Sequence, residues 1–261
     1  MSIIDTHAHY DDESFDEDRH ELLSSMSDNN ISAIVNVGAT IKGGYDSLEL
    51  SDKYPFIFAA LGVHPDEVHT LNEDEIKKFR DTASNERVVA IGEIGLDYFN
   101  MGPSKPDKDT QHKWFRRQLE LAIDLRLPVI IHSRDAEDDT KAVLKEYAKD
   151  LTSCVMHCYS YTLESALELK EMGCMFGIGG IVTFKNGKVL QEAVSGLELS
   201  DIVLETDCPY LAPVPHRGER NSSIYLNYVA EKIAELKNVS VEEVENITTA
   251  NALKLFPRMT V

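Results

Sequence analysis

Apolar runs of strand length alternate with helix-like segments along almost the whole sequence, and this alternation constrains the fold most. It is typical of β–α–β units, in which crossover helices join parallel strands. We predict strands at Ile3–His9, Ala33–Val37, Ile57–Val63, Val88–Glu93, Val129–His132, Ser153–His157, Met175–Ile178 and Ile202–Glu205. The predicted helices are Asp16–Asn29, Tyr45–Lys53, Glu73–Ser84, Thr110–Arg126, Glu137–Lys149, Thr162–Met172, Gly187–Gly196, Ser223–Lys237 and Val241–Leu255.

Eight strands alternating with helices predict an α/β fold, most simply a closed TIM-type (β/α)₈ barrel. The length of 261 residues suits one such barrel, and no Ser/Gly-rich linker divides the chain. We therefore expect a single domain over residues 1–261. An open doubly wound sheet is the alternative that the pattern leaves open.

Charge and composition narrow the classes of partner. The chain has 26 basic and 45 acidic residues, a net charge of −19. This disfavours sequence-independent coating of nucleic acid, which relies on Lys and Arg, but bound divalent cations can reverse the charge of a pocket. No apolar run reaches the ~18–20 residues of a membrane span, and the first residues lack a signal-peptide pattern. We expect a cytoplasmic protein without membrane association. The sequence gives no indication of an obligate protein partner.

Ionisable residues stand at the predicted C-terminal ends of five strands, the end at which barrel enzymes carry their chemistry. They are four histidines and two acids: His7, His9, Glu93, His132, His157 and Asp207. Side chains two apart on a strand share a face, so His7 and His9 point the same way. Burying all these groups together without a metal would be costly. We therefore predict a metal site.

The residue types narrow the choice of metal. Imidazole and carboxylate together suit Zn²⁺, Mn²⁺, Fe²⁺ or Co²⁺, whereas an all-oxygen set is typical of Mg²⁺ or Ca²⁺. The set exceeds the protein ligands of a mononuclear catalytic zinc site and is large enough for two ions. A carboxylate such as Glu93 can bridge two ions held about 3.5–4 Å apart.

The same residues lie in motifs spread from the first strand to the last helix. They are Asp5–His9, Gly62–Pro65, Gly92–Tyr98, His132–Ala136, His157–Ser160, Glu205–Leu211 and Thr249–Ala252. Taken together, these motifs resemble the TatD family of metal-dependent deoxyribonucleases over essentially the whole chain. The resemblance implies a (β/α)₈ barrel of the amidohydrolase superfamily. It also implies metal-dependent hydrolysis of DNA phosphodiesters, often from the 3′ end, with DNA ends as substrate.

The motif match also implies how two divalent ions are held, with Mg²⁺, Mn²⁺ and Zn²⁺ as candidates. By this match His7, His9, Glu93 and Asp207 hold one ion, and Glu93, His132 and His157 hold the other. Two loops depart from the family. Tyr159-Ser160-Tyr161 replaces Phe-Ser-Gly, and Glu219–Ser223 stands where Lys and Asn-Glu-Pro are usual. Both loops are expected to face substrate, so the departures bear on substrate choice.

Roles follow from the chemistry of the side chains. Two ions would activate a water and clamp a phosphate oxygen, and Asp207 is the natural group to orient that water and accept its proton. Glu93 and Asp207 are therefore the predicted catalytic residues. We predict that His64, Arg134 and Arg217 contact substrate phosphate, Arg134 through a bidentate fork. A turn role for His64 and local salt bridges for the arginines stay open.

Other residues beside the predicted ligands receive weaker roles. Asp5 and Glu205 are expected to share the faces of the ligands on their strands and to accept hydrogen bonds from ligand N–H groups. A plain structural role for both stays open. Asp97 follows a glycine in a turn, where a local bond to the backbone explains it. Cys158 is expected to be a thiol on the face opposite its neighbouring ligand.

Two other functions compete with DNA hydrolysis. The first is hydrolysis of acyl-ester or C–N bonds, for example aminoacyl-tRNA deacylation, on the same barrel and metals. Many binuclear relatives in the superfamily bridge their metals with a carboxylated Lys on the fourth strand, where this chain has Glu93. The second is a non-enzymatic metal-binding protein, which would predict a missing ligand. The chain is acidic, and its sequence shows no groove in which basic residues alternate with aromatic residues. We therefore predict that the protein captures the end of a nucleic-acid strand rather than a long single-stranded tract.

Overall fold

Eight strands rich in apolar residues form one parallel sheet in the computed structural model, which describes residues 2–260. The near-continuous apolar runs reflect burial on both faces, as expected where helices cover a parallel sheet. The strands are β1 (Ile3–Ala8), β2 (Ile31–Val37), β3 (Ile57–Leu61), β4 (Val88–Asp97), β5 (Val129–Arg134), β6 (Cys154–Met156), β7 (Cys174–Ile178) and β8 (Ile202–Leu204).

Helices follow the strands and pack around the sheet. Several begin at a side chain that caps the first turn, as Asn72, Asp107 and Thr162 do by accepting a hydrogen bond from an amide three residues on. The helices are α1 (Arg19–Ser24), α2 (Ile41–Lys53), α3 (Glu73–Thr82), α4 (Lys108–Leu125), α5 (Glu137–Tyr147), α6 (Leu163–Glu171), α7 (Lys188–Gly196), α8 (Leu226–Lys237) and α9 (Val241–Leu255). Within residues 2–260, none of them has both the length and the apolar character needed to cross a bilayer.

The strands follow one another around the sheet in chain order, and the last returns to the first. The segment after β8 joins the end of β1, where Ala8 pairs with Cys208. His9 N donates to Cys208 O and Asp207 N donates to His7 O, both at 2.9 Å. The predicted (β/α)₈ barrel is therefore confirmed as a nearly closed, single-domain barrel. The open doubly wound alternative is excluded.

Apolar side chains from the strands fill the space below the C-terminal rim. One buried cluster takes residues from seven strands: Ile4, Val35, Phe58, Val89, Ile130, Val155 and Val203. Phe256 and Met259, from the segment after α9, belong to the same cluster. A filled interior leaves the C-terminal ends of the strands as the place where a cavity can form.

The elements differ from the predictions mainly at their ends. The region 16–29, predicted as one helix, contains the short helix α1 and one 3₁₀ turn, Ser27–Asn29. Strand β4 continues four residues beyond Glu93, to Asp97. This extension places Asp97 opposite Arg134 at the end of β5. The longer strand therefore places Asp97 at the same end of the barrel as the predicted metal ligands.

Candidate metal centre

The six predicted ligand residues lie together at the C-terminal end of the barrel. Five of them line a cavity of about 580 Å³: His9, Glu93, His132, His157 and Asp207. His7 is fully buried beside them. Parallel strands end at the same rim, so residues far apart in sequence meet there. The six side chains that the strand-end pattern selected therefore lie together.

The distances between side-chain atoms divide the six residues into two groups, and Glu93 belongs to both. In the first, His7 Nε2 is 3.1 Å from His9 Nε2 and 3.4 Å from Glu93 Oε2, while His9 Nε2 is 3.3 Å from Asp207 Oδ1. In the second, Glu93 Oε1 lies 2.6 Å from His132 Nδ1 and 3.8 Å from His157 Nε2. The two oxygens of Glu93 thus face different histidines.

Two hydrogen bonds and one ion pair on the outer edges orient three imidazoles. His9 Nδ1 donates to the carbonyl of Val37 at 2.8 Å, because a carbonyl can only accept. His157 Nδ1 lies 3.1 Å from Glu205 Oε1, and Asp97 Oδ2 accepts from His132 Nε2 at 3.0 Å. In each ring the nitrogen that is left faces the centre of the cluster. Such outer contacts fix the ring orientation of metal-binding histidines.

Opposite charges keep one another ionised within the protein itself. Burial alone would lower the pKa of His9, but the hydrogen bond and charge of Asp207 outweigh it and raise this pKa to about 9. Surrounding carboxylates raise the pKa of His157 to about 10 against the effect of burial. Burial would raise the pKa of Glu93, yet the nearby histidines, His157 first, hold it well below its usual range. Protons on these rings thus balance the carboxylates, and a metal ion would displace them.

His7 and its neighbours offer the donor atoms that a divalent ion needs. Burial lowers the pKa of His7, so this imidazole is neutral and can offer a lone pair. Its Nδ1 has no hydrogen-bond partner among the described residues. The ligand atoms of His7, His9 and Asp207 lie within 4.8 Å of one another, and so do those of His64, Glu93 and His132. The second trio contains His64, which the sequence assigned to substrate.

The acids predicted to support the ligands differ in outcome. Glu205 forms an ion pair with His157, a predicted ligand from another strand, and accepts a hydrogen bond from Cys158 N at 2.5 Å. Asp5 does not share the face of His7 and His9. The pairing of β1 with β2 shifts register between Asp5 and Ala8, which turns Asp5 away. Asp5 accepts hydrogen bonds from Thr206, Ser223 and the backbone N–H of His7, and it joins the segment after β8 to the segment before α8.

The three predicted substrate residues do not all reach the cavity. His64 and Arg134 line it. Arg134 also stacks over the ring of Phe99, 3.7 Å from its centroid. Arg217 lies outside the lining and stacks over Phe184, 4.4 Å from its centroid. An arginine held on an aromatic ring away from the cavity does not support the predicted phosphate contact.

Three residues that line the cavity were not predicted from the sequence. Asp97 makes the predicted local bond, accepting from Phe99 N at 2.9 Å, but it also binds His132. Lys105 lines the cavity from the loop before α4, and Cys158 lines it rather than facing away. Strand β6 ends at Met156, so side-chain alternation no longer governs Cys158, whose φ is +46°. The strand-like spacing in the GEIGLD segment was the one signal that could have placed Asp97 here.

Comparisons with known proteins agree over the full barrel. A family model described as TatD related DNase matches residues 4–257. The uncharacterized metal-dependent hydrolase YabD of Bacillus subtilis (strain 168) is 41% identical over 254 residues, 97% of this chain and 98% of the relative. The crystal structure of YJJV, a TatD homolog from Escherichia coli K12, has a TM-score of 0.90 at 28% identity, covering 98% of both chains. The chain therefore belongs to the TatD-related DNase family.

Proposed function

We propose that this protein is a divalent-metal-dependent hydrolase that cleaves phosphodiester bonds in DNA as a 3′–5′ exodeoxyribonuclease. The main observation is the convergence of four imidazoles and two carboxylates at a cavity of about 580 Å³ that also exposes Arg134. The description of the matching family as TatD related DNase supports the substrate class. The name of YabD, a metal-dependent hydrolase, supports the reaction class.

The residues are arranged to hold two ions. We assign His7, His9, Glu93 and Asp207 to one ion, and Glu93, His132 and His157 to the other. His64 is left to the substrate because Asp66 N donates to its Nδ1 at 3.2 Å, so the proton of the neutral ring is on Nε2. Burial, with the charge of His132, lowers the pKa of His64 to about 4, which keeps the ring neutral. Bound divalent ions would supply charge stabilisation for the phosphate and a lowered pKa for the attacking water.

Asp207 is the proposed proton acceptor. The charges and hydrogen bond of His157 and His9 lower its pKa against the effect of burial. Its side chain lines the cavity, so it can contact both a water and the cluster. A carboxylate at this point can orient the attacking water and take its proton as the bond to phosphorus forms.

Arg134 and His64 supply donors for a phosphate on one side of the cavity. The Nε2–H of His64 lies 3.9 Å from Glu93 Oε1, at the edge of the proposed centre. We assign only these two side chains as donors to phosphate, and the chain carries a net charge of −19. This combination favours a strand end entering the cavity over a long tract held along the surface.

Removal of metal tests the proposal directly. We expect chelator-treated protein to leave DNA uncut, and added Mg²⁺, Mn²⁺ or Zn²⁺ to restore stepwise removal of 3′ nucleotides. Oligonucleotides labelled at the 5′ or the 3′ end give the polarity from the product ladder. Protein that takes up two ions and cuts no DNA with any metal would contradict the proposal and favour acyl or amide substrates.

Arg134 gives a second test. We expect Arg134→Met to raise KM for an oligonucleotide by about 10-fold or more with little change in kcat, because a charge-assisted bond to phosphate is lost. Steady-state kinetics at fixed ionic strength measures the two constants separately. Arg116→Met is the matched control, since Arg116 pairs with Glu146 on the outer helices. A fall in kcat at unchanged KM would show that Arg134 does not bind ground-state substrate.

A further inference from the structure

Lys105 lines the cavity, yet its ammonium group is already surrounded by protein oxygens. Asp97 Oδ1 and the carbonyl of Phe99 accept hydrogen bonds from Nζ at 3.2 and 2.9 Å. Asp66 Oδ1 lies 2.9 Å from Nζ as an ion pair. Two of the three N–H groups of the ammonium are used in these hydrogen bonds, and the carboxylate of Asp66 contributes an ion pair without a hydrogen bond. Two carboxylates and a backbone carbonyl thus hold this ammonium within the protein.

The contact with Asp97 leads to His132. The side chain of Asp97 is 4% exposed, and its second oxygen, Oδ2, accepts from His132 Nε2 at 3.0 Å. This bond keeps the Nε2 proton in place and leaves Nδ1 facing Glu93 at 2.6 Å. Lys105 neutralises and orients the carboxylate that makes the bond. A carboxylate behind a histidine tunes its metal affinity in this way.

The contact with Asp66 leads to His64. The side chain of Asp66 pairs with Lys105, while its backbone N–H donates to His64 Nδ1 at 3.2 Å. That bond sets the tautomer in which Nε2 carries the proton. The rings of His64 and His132 meet edge to face, with centroids 4.3 Å apart. One ammonium therefore lies between the groups that orient two neighbouring histidines.

We infer that Lys105 is a positioning residue for the proposed second metal site and for the proposed phosphate donor. It acts through Asp97 on His132 and through Asp66 on His64, and it does not touch substrate. The inference rests on the proposed function, because it assigns His132 to an ion and His64 to a phosphate. It gives the loop between β4 and α4 a part in the chemistry, although this loop contributes no proposed ligand.

Lys105→Met tests the inference because it removes the charge and keeps most of the length. We expect calorimetry with Zn²⁺ to show one ion bound as in the wild type and the other weakened by about 10–100-fold. Nitrogen-15 spectra of the histidine side chains in the Zn²⁺-loaded protein should show that His64 and His132 no longer hold a single tautomer each. Lys108→Met is the control, since Lys108 follows the same loop as the first residue of α4 and packs over the ring of Tyr98.

The outcomes separate this inference from the proposed function. Wild-type affinity for both ions with unchanged histidine spectra in Lys105→Met would overturn it, even if DNA cleavage fell, because Lys105 would then act on substrate. A wild-type protein that binds two ions but cuts no DNA would contradict the function and leave the ion and tautomer result standing. If Lys105→Met fails to fold, Asp66→Asn is measured instead. It should change the His64 signals alone, and an unchanged spectrum would overturn the inference.

Discussion

Glu93→Gln is expected to lower kcat/KM for DNA by about 10³-fold or more, equivalent to about 4 kcal/mol. The two carboxylate oxygens face different histidines, with Oε1 2.6 Å from His132 and Oε2 3.4 Å from His7. An amide of the same size has only one acceptor oxygen. Its NH₂ group would face one of the imidazoles and oppose an ion at that position. The change therefore affects both proposed metal sites at once.

Metal content distinguishes a loss of metal binding in Glu93→Gln from a folding defect. Elemental analysis of Glu93→Gln should find fewer ions per chain than in the wild type, while the thermal unfolding transition stays cooperative. Glu86→Gln is the matched control: it makes the same chemical change just before β4, at the opposite end of the strand. A Glu93→Gln protein with two tightly bound ions and near-normal cleavage would remove the bridging role from the proposal.

The ends of the strands were the part of the site that the sequence could predict. Alternation along a strand and the common direction of parallel strands are local rules, and together they determine which residues reach the rim. His132 and His157 are clear cases. Each follows a short apolar run, and each lies at the cavity as expected. The match with the family motifs added how the ligands divide between two ions, which remains a proposal.

Contacts between loops could not be predicted in the same way. Lys105 contacts Asp66 and Asp97 because two loops fold over the rim. The periodicity of the sequence contains no information about this contact. Asp5 was misplaced because a single register shift in β1 reverses which face a side chain takes. Arg217 was assigned by residue type alone, while its position depends on an aromatic partner 33 residues earlier, Phe184.

Asp207→Asn is expected to lower kcat by about 10²–10⁴-fold, the usual contribution of a general base, with a smaller change in KM. The amide keeps the shape of the side chain but cannot take the proton of the attacking water. Asn also suits the backbone here, because Asp207 has φ of +59° and Asn is among the few residues that tolerate the left-handed region. The fold should therefore be retained, as the bond from Asp207 N to His7 O comes from the backbone.

Single-turnover cleavage and metal content together show which role of Asp207 is lost. His7, His9 and Glu93 still offer three ligands for the first ion, so we expect Asp207→Asn to keep most of its metal. Asp150→Asn, in the exposed turn before β6, is the control for the same chemical change. If chemistry slows while both ions remain, Asp207 acts mainly on the water. If the first ion is lost in proportion to activity, Asp207 serves as a ligand, and another group must accept the proton.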